Sequence, residues 1–537
     1  MTRIAAAVVL AVLPSSLVVA AQEESPLFRA LSVAADAPAG ALPGAVLRSR
    51  SVAVAFEQLE AMREAGAGRL TLNLFDDVLL VAEITEAGDT HTGYGMTGRL
   101  DGDPLSVVSI GLHGAAISGT VISLDGSFEF IGTADRTVIS EVDPDLLPPD
   151  GLLDPEPAAD PDPETRREDG NRVDIAIAYT ALATATAGSE DALKARAIAW
   201  LRITNLALQT GPVHTRLNLA GWIRMSSSYR ESFDMANDLR RITNDPWIRE
   251  LRDEHHIDLV AMLVGPVDDN WCGLAWFRPL HERNGFSVTR IDCGGNNTFA
   301  HEIGHNFGMS HDRYQVALDR GSLALALQNT NYSFGFVNGL GLAPGRGPRR
   351  WYTVMAYGTR CYRAGYMCVR LPYFSNPRQV FNGERFGVPG NFLSFSVDGP
   401  ADGVRMLNAT RATIANYRAR PVDPPEPPRP PIPTVQTGEG IKAGTLTQIR
   451  ALVDWARGVC GLGASRWTDP RVVAGQTAIR AEHVTEPRRA LEEAHVACSL
   501  APPRWTDPVI TRGRTPVRAV HFAEIIEVAQ NIEADAR

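Results

Sequence analysis

Residues 301–312 of this 537-residue chain read His-Glu-Ile-Gly-His-Asn-Phe-Gly-Met-Ser-His-Asp. His301 and His305 are four apart, so on a helix their imidazoles stand one above the other on a single face. Asn297 and Thr298 suit the start of such a helix, and the spacing predicts helix over Phe299 to Met309. Gly308 can adopt the left-handed conformation that ends the helix and turns the chain back. His311 would then complete three ring nitrogens and leave a fourth position open, as a hydrolytic zinc site requires. Glu302 is rotated away from the imidazole face and would reach a water in that position without binding the metal. The chemistry expected is attack by an activated water, with zinc polarising a carbonyl and Glu302 carrying the proton to the leaving amine.

A bare His-Glu-x-x-His also occurs on ordinary surface helices; Gly308, His311 and Asp312 at fixed offsets separate the two cases. Other segments carry less. Cys272-Gly273-Leu274-Ala275-Trp276 has a papain-type look, but the nucleophile's place falls on Ala275. His255-His256 lacks a partner at ligand spacing and reads as structural. No Gly-x-Ser-x-Gly elbow or phosphate-binding loop is present in the sequence.

A second motif follows at Trp351-Tyr352-Thr353-Val354-Met355-Ala356-Tyr357-Gly358. With it, the chain resembles the metzincin zinc endopeptidases, whose His-Glu-x-x-His-x-x-Gly-x-x-His segment is followed by a Met-containing turn beneath the metal. Asp312 is similar to the adamalysin (reprolysin) branch. Val173-Asp174-Ile175, Asn296-Asn297-Thr298-Phe299-Ala300 and Val354-Met355-Ala356-Tyr357 look closest to bacterial peptidyl-Asp metalloendopeptidases. The resemblance covers about residues 172 to 420. It implies one catalytic zinc on His301, His305 and His311, Glu302 as general base, and structural support from Gly308 and Met355. It also implies protein or peptide substrates, cleavage before Asp, and an inhibitory N-terminal propeptide. Calcium is left open.

One position departs from the adamalysin pattern. Tyr357 stands two residues after Met355, as in astacins and serralysins, where such a Tyr is a further zinc ligand or steadies an oxyanion; packing is the competing reading. A pocket for Asp needs a cation, and Arg360, Arg363 and Arg370 follow the Met-turn. No Cys precedes Cys272, so latency must be steric or use a carboxylate rather than a thiolate. Asp154, Asp160 and Asp162 would be self-cleavage points.

The elements that must position these residues suggest a multidomain chain. Arg3, the apolar run Ile4 to Leu13 and Val19-Ala20-Ala21 read as a signal peptide over residues 1–21. A β-rich propeptide is expected over 22–142, with a short helical stretch at Ser51–Glu64. The strands are placed at Leu70–Phe75, Val78–Ile84, Leu105–Leu112, Ala116–Leu124, Ser127–Thr133 and Thr137–Glu141, punctuated by Gly88-Asp89, Asp101-Gly102 and Asp125-Gly126. Residues 143–170 are acidic and Pro-rich, with ten acidic residues against two arginines, and read as a linker. From 171 to 420 strands and helices alternate, predicting an α/β catalytic domain with a mostly parallel twisted sheet and an active-site helix. A Pro-rich linker over 421–437 leads to helical repeats over 438–537. There Arg466-Trp467-Thr468-Asp469-Pro470 recurs as Arg504-Trp505-Thr506-Asp507-Pro508 at a period of 38. His483 and His521 are equivalent in the repeats, and packing or capping is favoured over a metal.

The net charge of −10 is concentrated in the acidic stretch, so nucleic-acid binding is not expected. Beyond the signal no segment is apolar enough to span a membrane. Six cysteines fit an exported, oxidised protein; proximity favours Cys272 with Cys293, Cys361 with Cys368 and Cys460 with Cys498. The expected function is a secreted zinc endopeptidase. The alternative is a surface-binding or adhesion protein that acts through its C-terminal repeats, with a vestigial protease domain.

Overall fold

The computed structural model describes residues 25–31, 43–154, 169–266, 270–418, 429–435 and 441–535, apart from short breaks at 91, 278–279, 295, 328–329, 339–349, 461, 499 and 512. The expected signal segment lies outside the described residues.

Among the described residues, the N-terminal region forms one antiparallel sheet of nine strands. They are β1 (Phe28–Ala30), β2 (Val46–Val54), β3 (Gly68–Phe75), β4 (Val78–Asp89), β5 (Tyr94–Leu100), β6 (Asp103–His113), β7 (Ala116–Ser123), β8 (Gly126–Thr133) and β9 (Thr137–Val142). The order is β1-β2-β9-β8-β7-β6-β5-β4-β3, a meander with β2 added beside β9. Three expectations need correction. Ser51–Val54 completes β2, and the helix spans Phe56–Ala65. Gly88-Asp89 lies inside β4 rather than in a turn. Strand β5, with Gly95 and Gly98 breaking its alternation, carries too weak a signal to be seen beforehand.

Strand β3 alternates between buried and partly exposed residues, but β7 is buried along its whole length. The cause is a second layer. The sheet packs on the 21-residue helix Glu190–Thr210, here called the long helix. Contact is close enough that a Cβ on Gly111 would lie 2.1 Å from the Ala195 carbonyl oxygen. Ser109 Oγ donates to the Ala199 carbonyl oxygen at 2.9 Å, and Arg202 reaches Glu86 at 2.6 Å.

The central α/β sheet has six strands: β10 (Asp150–Leu153), β11 (Arg172–Tyr179), β12 (Arg216–Arg224), β13 (Leu259–Val264), β14 (Gly273–Trp276) and β15 (Phe286–Arg290). Their order is β10-β14-β15-β13-β11-β12, and only β14 against β15 is antiparallel. Both faces are covered, which is why β13 is apolar throughout. Val173, Ile175 and Ile177 face the long helix side, while Ala176 and Ala178 face Met235, Leu239 and Ile242. Strand β10 was not expected. It comes from the acidic stretch read as a linker, of which 155–168 lie outside the described residues. Its four residues form a strand because β14 offers an unpaired edge, a tertiary cause that composition does not show.

Residues 421–537 form a separate unit. Helices Ala443–Val459, Glu482–Ala497 and Ala519–Asp535 pack through Leu446, Ile449, Leu491, Phe522 and Ile525. His483 Nε2 lies 3.0 Å from Asp469 Oδ2 while its Nδ1 accepts from the Arg480 backbone at 3.0 Å; His521 meets Asp507 and Arg518 the same way. Each imidazole therefore fastens a Trp-Thr-Asp-Pro loop to a helix start. The guanidinium groups of Arg450 and Arg488 lie 5.0 and 4.9 Å from the ring centroids of Trp467 and Trp505, another pair at the 38-residue spacing. All three disulfides join the cysteines that proximity favours.

The close docking of β6 on the long helix predicts that Gly111→Val lowers the stability of the 1–420 unit by about 1–3 kcal/mol through overpacking. Differential scanning calorimetry should show its transition fall while that of the C-terminal unit stays in place.

Candidate active site

The site begins where β15 ends. A loop closed by the Cys272–Cys293 disulfide leads into the helix Thr298–Asn306, here called the site helix. That helix is shorter than predicted and is not capped as predicted. Asn297 has a left-handed backbone (φ 54°), and its side chain donates to the Arg370 carbonyl oxygen at 3.2 Å instead of capping. Gly308 takes φ 86°, as the turn requires. Met309 N then donates to the Gly304 carbonyl oxygen at 3.0 Å, and the chain turns back to His311.

The three imidazoles meet. His305 Nε2 lies 3.0 Å from His301 Nε2 and 3.1 Å from His311 Nε2, all buried. His301 Nδ1 sits 2.8 Å from the Val354 carbonyl oxygen, and His305 Nδ1 sits 2.8 Å from that of Met309. A carbonyl only accepts, so each Nδ1 carries the hydrogen and each Nε2 presents a bare lone pair. Lone pairs facing each other in a buried site call for a cation. Their spacing is close to the edge of about 3.3 Å that a tetrahedron of Zn–N bonds of about 2.0–2.1 Å would have. The donor set therefore fits zinc, with His301, His305 and His311 able to hold it.

Glu302 is fully buried, and among the described residues neither of its carboxylate oxygens has a hydrogen-bond partner. Gly273 on β14 makes room for it: a Cβ there would lie 2.5 Å from Glu302 Oε1. This is the functional use of the segment with the papain-type look, and no motif pointed to it. Met355 lies under the site helix, and a Cβ on Gly304 would fall 2.3 Å from its sulfur. Asp312 starts the next helix, Arg313–Arg320, by accepting from Gln315 N at 3.0 Å, and accepts from Tyr357 N at 3.0 Å. It thus ties the third His to the Met-turn. The Tyr357 ring centroid is 4.8 Å from that of His311.

Strand β10 covers this centre. It runs parallel to β14 with Asp150 opposite Gly273, so the edge strand is already paired. The Asp150 carbonyl oxygen accepts from the Tyr357 hydroxyl. Its carboxylate accepts from Thr298 Oγ1 at 2.8 Å through Oδ1 and forms a buried ion pair with Arg370 through Oδ2. Oδ2 is 3.8 Å from His301 Nδ1. The two other arginines expected to serve a pocket are elsewhere: Arg360 pairs with Asp398 at 2.7 Å, and Arg363 donates to the Tyr314 hydroxyl at 3.0 Å. Asp150 is the residue that sequence reasoning missed; its acidic, Pro-rich neighbourhood marked it as solvated.

Burial shifts the imidazoles and two of the carboxyl groups here. Burial lowers all three imidazoles, His305 to about 4. Burial, then the charge of Asp150, holds Glu302 well above the usual carboxylate range. Burial also brings Asp312 up to about 6. For Arg370 burial pulls downward, but the charge of Asp150 and its hydrogen bond outweigh that pull, and the guanidinium is held more firmly protonated.

With this geometry in hand, known proteins give it a family context. Residues 194–312 match the reprolysin-like metallo-peptidase family M12B. A peptidyl-Asp metalloendopeptidase of Pseudomonas aeruginosa is 30% identical over 268 residues, 47% of this chain and 41% of that protein; the chain thus spans less than half the length of that relative. Proteins of the same name from Stenotrophomonas maltophilia and Xanthomonas campestris are 26% and 28% identical, covering 75% and 74% of this chain and 96% and 95% of theirs.

If the triad is the metal site, His305→Ala should cut tightly bound zinc from one ion per chain to below about a tenth, measured by inductively coupled plasma mass spectrometry after dialysis. Gly273→Ala, which crowds Glu302 but no imidazole, should leave the zinc content unchanged.

Proposed function

We propose, on the premise that this chain carries a reprolysin-like metallopeptidase domain, that it is a secreted zinc endopeptidase held latent by its own N-terminal region. The observation that carries this reading is the buried meeting of three imidazole Nε2 atoms beside the carboxylate of Glu302, which has no hydrogen-bond partner among the described residues. Zinc on His301, His305 and His311 would supply a water of lowered pKa and a positive charge for the scissile carbonyl. Glu302 takes the proton of that water on a carboxylate oxygen and returns it to the leaving nitrogen. The Tyr357 hydroxyl, released from the Asp150 carbonyl oxygen, would steady the oxyanion. Met355 and Gly308 support the site helix and its turn. Strand β14, once uncovered, offers main-chain groups to an extended protein or peptide substrate. Cleavage before Asp is the preference suggested by the name of the relatives.

In this reading residues 22–142 and β10 are the propeptide, and latency is both steric and carboxylate-based. The strand fills the edge where a substrate would pair, and Asp150 anchors it. The signal-like residues 1–21 and the three disulfides support export; no helix among the described residues is long and apolar enough to cross a membrane.

Casein degradation that stops with a chelator and returns with zinc separates this reading from a surface-binding protein acting through its repeats. Glu302→Gln should reduce that activity by at least about 10²–10⁴-fold with zinc still bound; a fully active variant would refute the assignment. Asp150→Ala leaves Arg370 buried without its anion, at a cost of about 3–5 kcal/mol to the docked strand. The uncut Asp150→Ala precursor should therefore degrade casein without the lag of the wild-type precursor, and equal lags would remove Asp150 from the latency mechanism.

A further inference from the structure

We infer that Arg370 is the specificity-determining residue for an Asp side chain of the substrate, and that Asp150 occupies that seat in the latent chain. The inference rests on the proteolytic function proposed above and deepens it.

The seat is built for one carboxylate. Arg370 and Asp150 are both buried, with side-chain exposures of 3% and 0%. The guanidinium is fixed by two uncharged groups, the Asn296 carbonyl oxygen at 3.0 Å and the Ala356 carbonyl oxygen at 3.2 Å. These orient it but leave its charge for Asp150 to balance. Thr298 Oγ1 supplies a second donor to the same carboxylate. Because ligand atoms of Asp150, His301 and Glu302 all lie within 4.8 Å of one another, the seat serves the residue next to the bond under attack rather than a remote one.

The segment that fills the seat is itself an extended strand added to β14, the arrangement an incoming substrate would adopt. When β10 leaves, Arg370 remains as a desolvated cation without an anion. A peptide bringing the short carboxylate of Asp restores the pair and the Thr298 hydrogen bond. Asn has the same shape but no charge, and Glu is longer by one methylene. Among the described residues Arg360 and Arg363 are engaged elsewhere. Arg320 pairs at 3.0 Å with Asp154, just past the end of the strand, and is partly exposed at 27%, so water screens its charge as it does not screen that of Arg370.

The test uses the zinc-loaded chain after processing within the acidic stretch and two fluorogenic peptides differing only in Asp or Asn after the cleaved bond. Wild type should favour Asp in kcat/KM by about 100-fold or more, the scale of leaving a buried charge unpaired. Arg370→Gln should bring the ratio to within about threefold, by losing the Asp peptide and keeping the Asn peptide. An unchanged ratio overturns the inference. A wild type that degrades casein with no Asp preference overturns it too and leaves the proposed function standing, whereas a wild type that cuts nothing overturns that function first. Should Arg370→Gln fail to fold, peptides copying residues 147–154 decide as inhibitors of the wild type. The Asp150 peptide should act at a concentration at least about 30-fold below its Asn counterpart, and equal inhibition overturns the inference.

Discussion

Two backbone carbonyls, those of Val354 and Met309, hold the centre in its working form. Each takes the Nδ1 hydrogen of one imidazole and so turns a lone pair inward. Several neighbouring residues serve to place those two oxygens. Gly308 lets the chain double back so that Met309 can face its own helix, and Gly304 lets Met355 rise against the helix so that Val354 comes within reach. Asp312 then fastens the returning chain to the Met-turn. The orientation of these imidazoles is thus set by backbone groups outside the triad.

The N-terminal region is bound to this centre at two distances. Far from it, the nine-stranded sheet packs on the long helix. Close to it, four residues complete the edge of the central sheet. The second contact depends on charge burial: Asp150 is tolerated in a desolvated place because Arg370 is there, and Arg370 is tolerated because Asp150 is. Neither residue would be expected in such a position alone.

How much of this was legible in the sequence depends on whether the cause was local. The meeting of the three imidazoles and the turn at Gly308 were legible because helical spacing and one obligatory turn fix their places within a few residues, whereas Met355, more than forty residues on, was placed only by the family resemblance. The C-terminal helices were legible because the same segment is written more than once. Strand β10 and Asp150 were not, since the partner that orders them lies more than a hundred residues away on β14, and an acidic, proline-rich composition argues for solvation. Gly273 was hidden for a related reason. Its importance is a missing Cβ opposite a carboxylate, and spacing along the chain does not encode what stands across a cleft. Of the three arginines after the Met-turn, charge alone could not distinguish Arg370; its burial does.

Where the glycines of the N-terminal sheet come closest, the long helix presents Asp191, Ala195, Ile198, Ala199 and Arg202, one stripe at helical spacing. Two alanines and exposed backbone fill its middle, and charged groups bound it at both ends. Along this stripe the sheet meets helix backbone and small side chains, so the fit depends on the absence of Cβ atoms on one side and of bulk on the other. The seam therefore tolerates one register alone, and an enlarged residue on either side would loosen the whole sheet from the helix instead of being absorbed locally.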